Sequence, residues 1–173
     1  MNKVAFVIGH NKNDKGAYSK YLTASEWTFW NDFYNNYLSN LGNLFNHSLS
    51  SSYTSKQKSM SKLTKDYDLV FELHFNAGPL SANGVEALIY SGNNKMKIIA
   101  ELYCKLMSDK LSLRNRGCKE KSSGNGFGFL KLTKGDAILL EPFFGSNKSD
   151  CNKYRHKEHA LIIEDLINTY NKL

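Results

Sequence analysis

The chain has 173 residues, which is enough for one domain with a substantial hydrophobic core. Hydrophobic residues make up 41% of it, only two residues are proline, and no apolar run approaches the roughly 20 residues of a membrane span, so the composition excludes a disordered chain and a membrane-spanning protein. The net charge of +7 indicates attraction to polyanions such as nucleic acid, anionic membranes or an anionic cell wall. Because the lysines are scattered along the sequence, the charge does not distinguish between these partners.

The cysteines and the N-terminal residues indicate the compartment in which the protein is made. Cys104, Cys118 and Cys151 form no Cys-x-x-Cys pair, so we expect free thiols in a reducing compartment. The first apolar run, residues 4–8, is shorter than the roughly 7–15 apolar residues at the centre of a signal peptide. We therefore expect synthesis in the cytoplasm without a signal peptide.

The first quarter of the chain predicts a strand, a loop and a helix. Residues 3–9, with the apolar run Val4 to Ile8 at their centre, predict a buried strand, and residues 10–22 form a polar loop. Thr23-Ala-Ser-Glu26 has the form of a capping box, and the aromatic and leucine residues that follow at spacings of three and four predict a helix that ends at Gly42. Residues 44–49 are compatible with a short strand.

The second quarter is polar at first and then strongly apolar. Residues 50–66 are rich in Ser, Lys and Thr and predict a loop followed by a polar helix that uses Met60 and Leu63 for packing. Residues 68–75 predict a strong strand, which is followed by the turn sequence Asn76-Ala-Gly-Pro79.

The remaining chain continues the alternation. Residues 85–90 predict a strand and residues 95–113 an amphipathic helix, whereas the glycines and serines of residues 120–128 predict a flexible loop. The last predicted elements are strands over 129–132 and 137–141 and a helix over about 149–171.

This alternation predicts an α/β protein. Continuous apolar strands separated by helices favour a single layered domain over residues 1–173, with a central, largely parallel (mixed) sheet flanked by helices. In such sheets functional residues collect beyond the carboxyl ends of the strands. His10, His74 and Glu141 all stand at such ends.

These residues, together with Glu26, have the composition of a catalytic zinc site. Zinc binds imidazole nitrogen and carboxylate oxygen, and two histidines with one glutamate are a known catalytic ligand set. His10, Glu26 and His74 are the candidates for that set, and Glu141 is the candidate to accept a proton from the attacking water.

Each of these residues also has a simpler interpretation. A histidine after a strand is more often a hydrogen-bonded structural residue, Glu26 is explained almost as well as the glutamate of a capping box, and Glu141 before Pro142 suits a turn. The conjunction of the four favours the catalytic interpretation over the structural one.

Six short motifs, in order over most of the chain, resemble a known family. They are Val7-Ile-Gly-His10, Asp14-Lys-Gly-Ala17, Glu72-Leu-His74-Phe-Asn76-Ala77, Gly84-Val-Glu-Ala87, Arg116-Gly117 and Leu139-Leu-Glu141-Pro-Phe-Phe. The set resembles the zinc-dependent N-acetylmuramoyl-L-alanine amidases (amidase type 3), and in its compactness the chain is similar to the endolysins among them.

The resemblance implies a bacteriolytic function. It implies an α/β fold, peptidoglycan as the partner, and cleavage of the amide between N-acetylmuramic acid and L-alanine. By position, His10, Glu26 and His74 match the ligands of one Zn²⁺ per chain and Glu141 matches the catalytic glutamate. We expect no separate cell-wall-binding domain and no nucleic-acid partner, with the basic charge attracting the protein to anionic wall polymers.

The chain departs from the family at two places. Glu72 stands where many members have a small residue, and either orients a zinc ligand or hydrogen-bonds beneath the site; support is favoured over ligation. Residues 118–132 match the family poorly.

Two further residues are candidates for substrate binding. Asn76 either binds a substrate amide or shapes the turn, and Arg116 either pairs with a peptide carboxylate or the lactyl region, or is a surface arginine.

Three other possibilities stay open at this point. His156 and His159 lie three residues apart near Cys151, which imitates a metal cluster but is typical of a helix surface. The alternative enzyme is a zinc carboxypeptidase-like hydrolase, although its usual His-x-x-Glu pair is missing. A non-catalytic basic module for cell wall or nucleic acid is the alternative of another class.

Overall fold

The structure, a computed structural model, describes residues 2–49 and 52–173. Its strands are β1 (Val4–Ile8), β2 (Tyr18–Ser19), β3 (Ala24–Ser25), β4 (Asn43–Asn46), β5 (Leu69–Leu73), β6 (Val85–Tyr90), β7 (Asn115–Lys121) and β8 (Asp136–Glu141). Its helices are α1 (Glu26–Phe33), which a π-helical turn (Tyr34–Leu38) continues, α2 (Tyr53–Leu63), α3 (Asn94–Leu111), α4 (Phe127–Leu132), α5 (Lys148–Lys153) and α6 (His156–Tyr170).

A six-stranded sheet in the order β4-β1-β5-β8-β6-β7 forms the centre of the protein. β1 lies parallel to both β4 and β5, β5 is parallel to β8, and β6 is parallel to β7, while β6 and β8 are antiparallel. The predicted α/β fold with a largely parallel mixed sheet is therefore confirmed. β2 and β3 form a separate two-stranded ribbon in the segment that precedes α1.

Both faces of the sheet are covered, which is why its central strands are mostly apolar. Side chains alternate between faces along a strand, so Phe6 and Ile8 pack in the larger core with α1, α3 and α6. Ala5 and Val7 face the smaller core, where Met60 of α2 and Phe129 of α4 cover the sheet. A cavity that includes Leu139 of this smaller core in its wall opens at the carboxyl end of the strands.

Several predicted elements differ from the observed ones. The prediction of a strand over 129–132 is wrong, since these residues belong to α4; a short apolar run does not distinguish a strand from a helical turn. The predicted loop over 120–128 begins within β7, whose polar sequence suits an exposed edge strand. The predicted last helix is two helices, because the extended backbone at Tyr154 and Arg155 separates α5 from α6.

The helix predicted within residues 50–66 is α2, although residues 50 and 51 lie outside the described residues. Ser52 caps this helix by accepting a hydrogen bond from the amide of Ser55. Met60 is buried as expected, but Leu63 is 48% exposed, and the second inward residue is Gln57. No helix in residues 2–49 or 52–173 has the length and apolarity needed to cross a membrane.

Candidate metal centre

His10, Glu26 and His74 converge at the carboxyl end of the sheet. Each offers one ligand atom, and the three atoms lie within 4.8 Å of one another. His10 Nε2 is 3.4 Å from Glu26 Oε1, and His74 Nδ1 is 3.1 Å from Glu26 Oε2. The sequence-predicted set is thus brought together in space.

Strand pairing explains why the two histidines meet. Ile8 pairs with Leu73 in the parallel β1–β5 ladder, and His10 and His74 follow these strands at the same edge of the sheet. Their rings contact edge to face, with centroids 5.2 Å apart. Glu26 reaches them from the first residue of α1.

Two glycines make space for the two imidazoles. A Cβ atom on Gly9 would lie 1.8 Å from His74 Nε2, and one on Gly16 would lie 2.5 Å from His10 Cδ2. Gly16 also has a φ of +73°, which glycine adopts at little cost. Both rings are therefore packed against backbone and held in place.

Glu26 is not the glutamate of a capping box. Ser25 caps α1 by accepting a hydrogen bond from the Thr28 amide at 3.3 Å, so the interpretation of Thr23 as the cap is wrong. The Glu26 carboxylate instead accepts backbone hydrogen bonds from Ala17 at 3.0 Å and from Phe75 at 3.1 Å. Its position is fixed from two separate segments of the chain.

The electrostatics of the cluster suit a cation. Burial alone would raise the pKa of Glu26, but hydrogen bonds from His10 and His74 outweigh burial and lower that pKa to about 2. Burial likewise opposes the charged form of His74, yet Glu26 and Glu72 raise the pKa of His74 well above 6.5. The positive charge that the carboxylates favour on His74 is what a bound divalent cation would provide, so the donor set and its charge fit zinc.

Glu141 lies beside this cluster at the end of β8. Its Oε2 atom is buried and has no hydrogen-bond partner within the described ranges. Burial is the largest influence and raises its pKa to about 8; His74 opposes the rise, while the carboxylates of Glu26, Glu86 and Glu72 add to it. Glu141 can therefore both accept and release a proton near neutral pH.

A cavity of about 360 Å³ connects these groups. Its wall includes His10, His74 and Glu141, and also Glu72, His47 and Gln57. The cavity gives a small molecule access to His10, His74 and Glu141 together.

His47 was missed by the sequence reasoning. Its Nε2 atom is 2.9 Å from Glu72 Oε1, and the other oxygen of Glu72 is 3.7 Å from His74 Nε2. Glu72 therefore lies on the opposite side of the His74 ring from Glu26, next to Nε2. The signal was present in Leu44-Phe45-Asn46-His47, a third strand that leads into a histidine.

Asn76 and Arg116 meet on a second carboxylate that the sequence reasoning overlooked. Asn76 Nδ2 donates to Glu86 Oε1 at 2.9 Å, and Arg116 Nε donates to Glu86 Oε2 at 2.8 Å. Glu86 pairs directly with Glu141 across the antiparallel β6–β8 ladder. Both candidates for substrate binding are thus anchored next to Glu141.

The histidines of α6 serve the core. His159 is buried between the hydroxyls of Tyr103, at 3.0 Å, and Tyr154, at 2.8 Å, and burial lowers its pKa to about 3. His156 stacks on Tyr37. Within residues 2–49 and 52–173, no group of metal-ligating side chains other than the cluster around Glu26 was found.

Comparison with known proteins agrees with this architecture. Residues 4–168 match the amidase type 3 family model, described as N-acetylmuramoyl-L-alanine amidase, so the chain belongs to that family. The catalytic domain of the CD27L endolysin targeting Clostridia difficile is 25% identical, with a TM-score of 0.78 over 97% of this chain and 98% of that one.

Two further relatives are more distant or less complete. The catalytic domain of CwlV, an amidase from Bacillus (Paenibacillus) polymyxa var. colistinus, shares the fold with a TM-score of 0.71 at 20% identity, over 98% of each chain. The uncharacterized protein YqiI of Bacillus subtilis (strain 168) is 30% identical over 103 residues, which are 58% of this chain and 48% of that protein. The match therefore spans about half the length of this curated relative.

Proposed function

We propose that this protein is a zinc-dependent N-acetylmuramoyl-L-alanine amidase, which hydrolyses the amide between N-acetylmuramic acid and L-alanine in peptidoglycan. The observation that carries the proposal is the convergence of His10, Glu26 and His74, in a chain of the amidase family, at a cavity whose wall contains both histidines and Glu141. Family membership supplies the bond that is cleaved, and the site supplies the groups that a hydrolysis needs.

His10, Glu26 and His74 would hold one zinc ion per chain. A zinc ion in such a site supplies a Lewis acid that activates water near neutral pH and polarises a carbonyl. Glu72 would position His74 by charge, because its carboxylate lies 3.7 Å from the imidazole nitrogen that faces away from Glu26 and favours a proton on that nitrogen.

Glu141 would transfer the protons of the reaction. Its carboxylate takes a proton from water as the oxygen attacks the lactyl carbonyl, and the same proton passes to the nitrogen of L-alanine as the C–N bond breaks. The pKa of about 8, caused chiefly by burial, places both half-reactions within reach at neutral pH.

Asn76 and Arg116 would bind substrate beside Glu141. Glu86 holds both side chains, and the guanidinium of Arg116 lies over the ring of Phe144, with its carbon 5.1 Å from the centroid. A guanidinium fixed in this way is suited to a peptide carboxylate or to the lactyl region of the sugar.

We propose further that the protein acts on the cell wall as an endolysin-like, bacteriolytic catalytic domain after synthesis in the cytoplasm. The similarity to the CD27L catalytic domain and the net charge of +7 support this role, since anionic wall polymers attract a basic protein.

Digestion of purified peptidoglycan tests the proposal. We expect new free L-alanine amines without new reducing sugars, and a loss of release on chelation or in Glu141→Gln. New reducing ends would indicate a glycosidase, release of C-terminal amino acids would favour the carboxypeptidase alternative, and zinc-free, salt-dependent binding to DNA without hydrolysis would favour a binding module.

Zinc retention tests the ligand assignment separately. Glu26→Ala should abolish stoichiometric zinc after gel filtration, measured by elemental analysis, while the exposed Glu164→Ala on α6 serves as the matched control. Retention of zinc by Glu26→Ala would show that Glu26 is not a ligand.

A further inference from the structure

Two buried polar atoms in the wall of the cavity have no use in the chemistry described above. His47 Nδ1 and Gln57 Oε1 lack a hydrogen-bond partner within the described residues, as does the catalytic candidate Glu141. All three side chains line the same cavity of about 360 Å³. Buried polar groups nearly always have partners, so the two unpaired atoms are candidates to accept hydrogen bonds from a bound ligand.

Gln57 occupies a position that the packing of α2 would normally give to an apolar residue. Its side chain is 5% exposed and faces inward like Met60, while Leu63 on the same helix is 48% exposed. The helix therefore directs an amide into the protein and a leucine towards solvent. A purely structural α2 gains nothing from this choice, because the buried oxygen forms no bond.

The contacts of His47 define what its free nitrogen can do. Its Nε2 atom is 2.9 Å from the carboxylate of Glu72, which accepts hydrogen bonds, so Nε2 is the donor. In the neutral imidazole Nδ1 is then an acceptor. Gln57 Oε1 is also an acceptor, so this wall presents two buried acceptors that have no partner within the described residues.

We propose that His47 and Gln57 form a subsite that accepts hydrogen bonds from amide N–H groups of a muramoyl peptide. An amide N–H matches a pure acceptor better than a hydroxyl, whose oxygen also needs a donor. Both acceptors lie just beneath the cavity surface, and the terminal amide of Gln57 turns about a broad torsion to meet a ligand. The proposal rests on the proposed amidase function and names the residues that select its substrate.

The amide N–H has two sources in such a ligand. One is the stem peptide and the other is the N-acetyl group of the sugar. Probes with stems of one and three residues, and a tripeptide probe without the N-acetyl group, distinguish them. If substitution of Gln57 weakens the binding of the longer stem only, the stem peptide is the donor. If it weakens only the binding of probes that carry the N-acetyl group, the sugar is the donor.

Calorimetric titration of N-acetylmuramoyl tripeptide tests the subsite. The zinc-loaded Glu141→Gln protein is titrated with and without Gln57→Met, which keeps the shape of the side chain and removes the acceptor. We expect affinity to fall about 3- to 10-fold, as for one lost hydrogen bond, with unfolding stability unchanged or higher. Thr54→Val, on the exposed side of α2, is the matched control and should change neither quantity.

The result that overturns the subsite is unchanged affinity for every probe in both Gln57→Met and the second variant Gln57→Leu. Failure of the proposed function looks different: the wild-type protein then shows no metal-dependent amidase activity, whatever the affinity of the Gln57 variants. An active wild-type enzyme whose KM is the same in Gln57→Met would overturn the subsite alone.

Discussion

Glu141→Gln should stabilise the metal-free protein while removing its activity. The pKa of Glu141 rises from 4.5 to about 8, chiefly because burial disfavours the charge. Between these pH values the folded state holds a proton that the unfolded state releases, so the wild-type protein loses stability as the pH rises from 4.5 towards 8. Glutamine is neutral throughout and does not carry this penalty.

The structure gives the size of the effect. At about 1.4 kcal/mol per pH unit, the interval from 4.5 to about 8 sets a ceiling of about 5 kcal/mol. The Oε2 atom is buried but the residue as a whole is partly exposed, so solvent screening reduces this to about 2–3 kcal/mol. The stability difference between variant and wild type should therefore be small at pH 5 and largest at pH 8 and above.

Urea unfolding in the presence of a chelator measures this difference at both pH values. Added zinc should shrink it, because a cation beside Glu141 favours the ionised carboxylate in the wild type. The same variant should retain zinc and lose about 10²- to 10⁴-fold in amidase turnover. A difference that does not change with pH, or a wild type more stable than the variant at pH 8, would refute the reasoning.

Three other substitutions probe different parts of the protein. Gly9→Ala should displace the His74 ring, since its Cβ would lie 1.8 Å from Nε2, and weaken zinc binding about 10- to 100-fold by competition with a chelator; unchanged affinity would contradict the packing argument. His159→Gln should remove an acid-dependent loss of stability, because the pKa of His159 is about 3 in the folded state and 6.5 in the unfolded state, which therefore binds the proton first. As the pH falls from 6.5 to 4.5, the wild type should lose about 1.4 kcal/mol of unfolding free energy per pH unit relative to the variant. Urea unfolding that gives the same difference at every pH would contradict this. Arg116→Lys should raise the KM for muramoyl peptides several-fold with little change in kcat, and a fall in kcat alone would exclude a binding role.

The parts of the site that the sequence predicted are those that follow long apolar strands. Runs such as residues 4–8 leave little doubt about the strand or where it ends, so His10 and His74 could be placed at one edge of a parallel sheet. His47 follows the same pattern, but its strand has only four residues at the edge of the sheet and was not recognised as a signal.

Other features depend on contacts that no local pattern contains. Glu26 has the spacing of a capping-box residue, and only the amides of Ala17 and Phe75 show that its carboxylate faces the histidines. Glu86 lies in an ordinary alternating strand, and its role depends on the antiparallel pairing with Glu141. β7 escaped prediction because an exposed edge strand needs no apolar alternation.

The two backbone hydrogen bonds to Glu26 tie the metal centre to the folding of the segment that surrounds it. Ala17 belongs to the loop that leads into the β2–β3 ribbon, and Phe75 follows β5, so one carboxylate joins segments that are far apart in the chain. A cation that fixes this carboxylate also slows the opening of both segments. Amide hydrogen exchange at Ala17 and Phe75 should consequently slow together when zinc binds, so that two backbone protons report the loading of a site to which neither belongs.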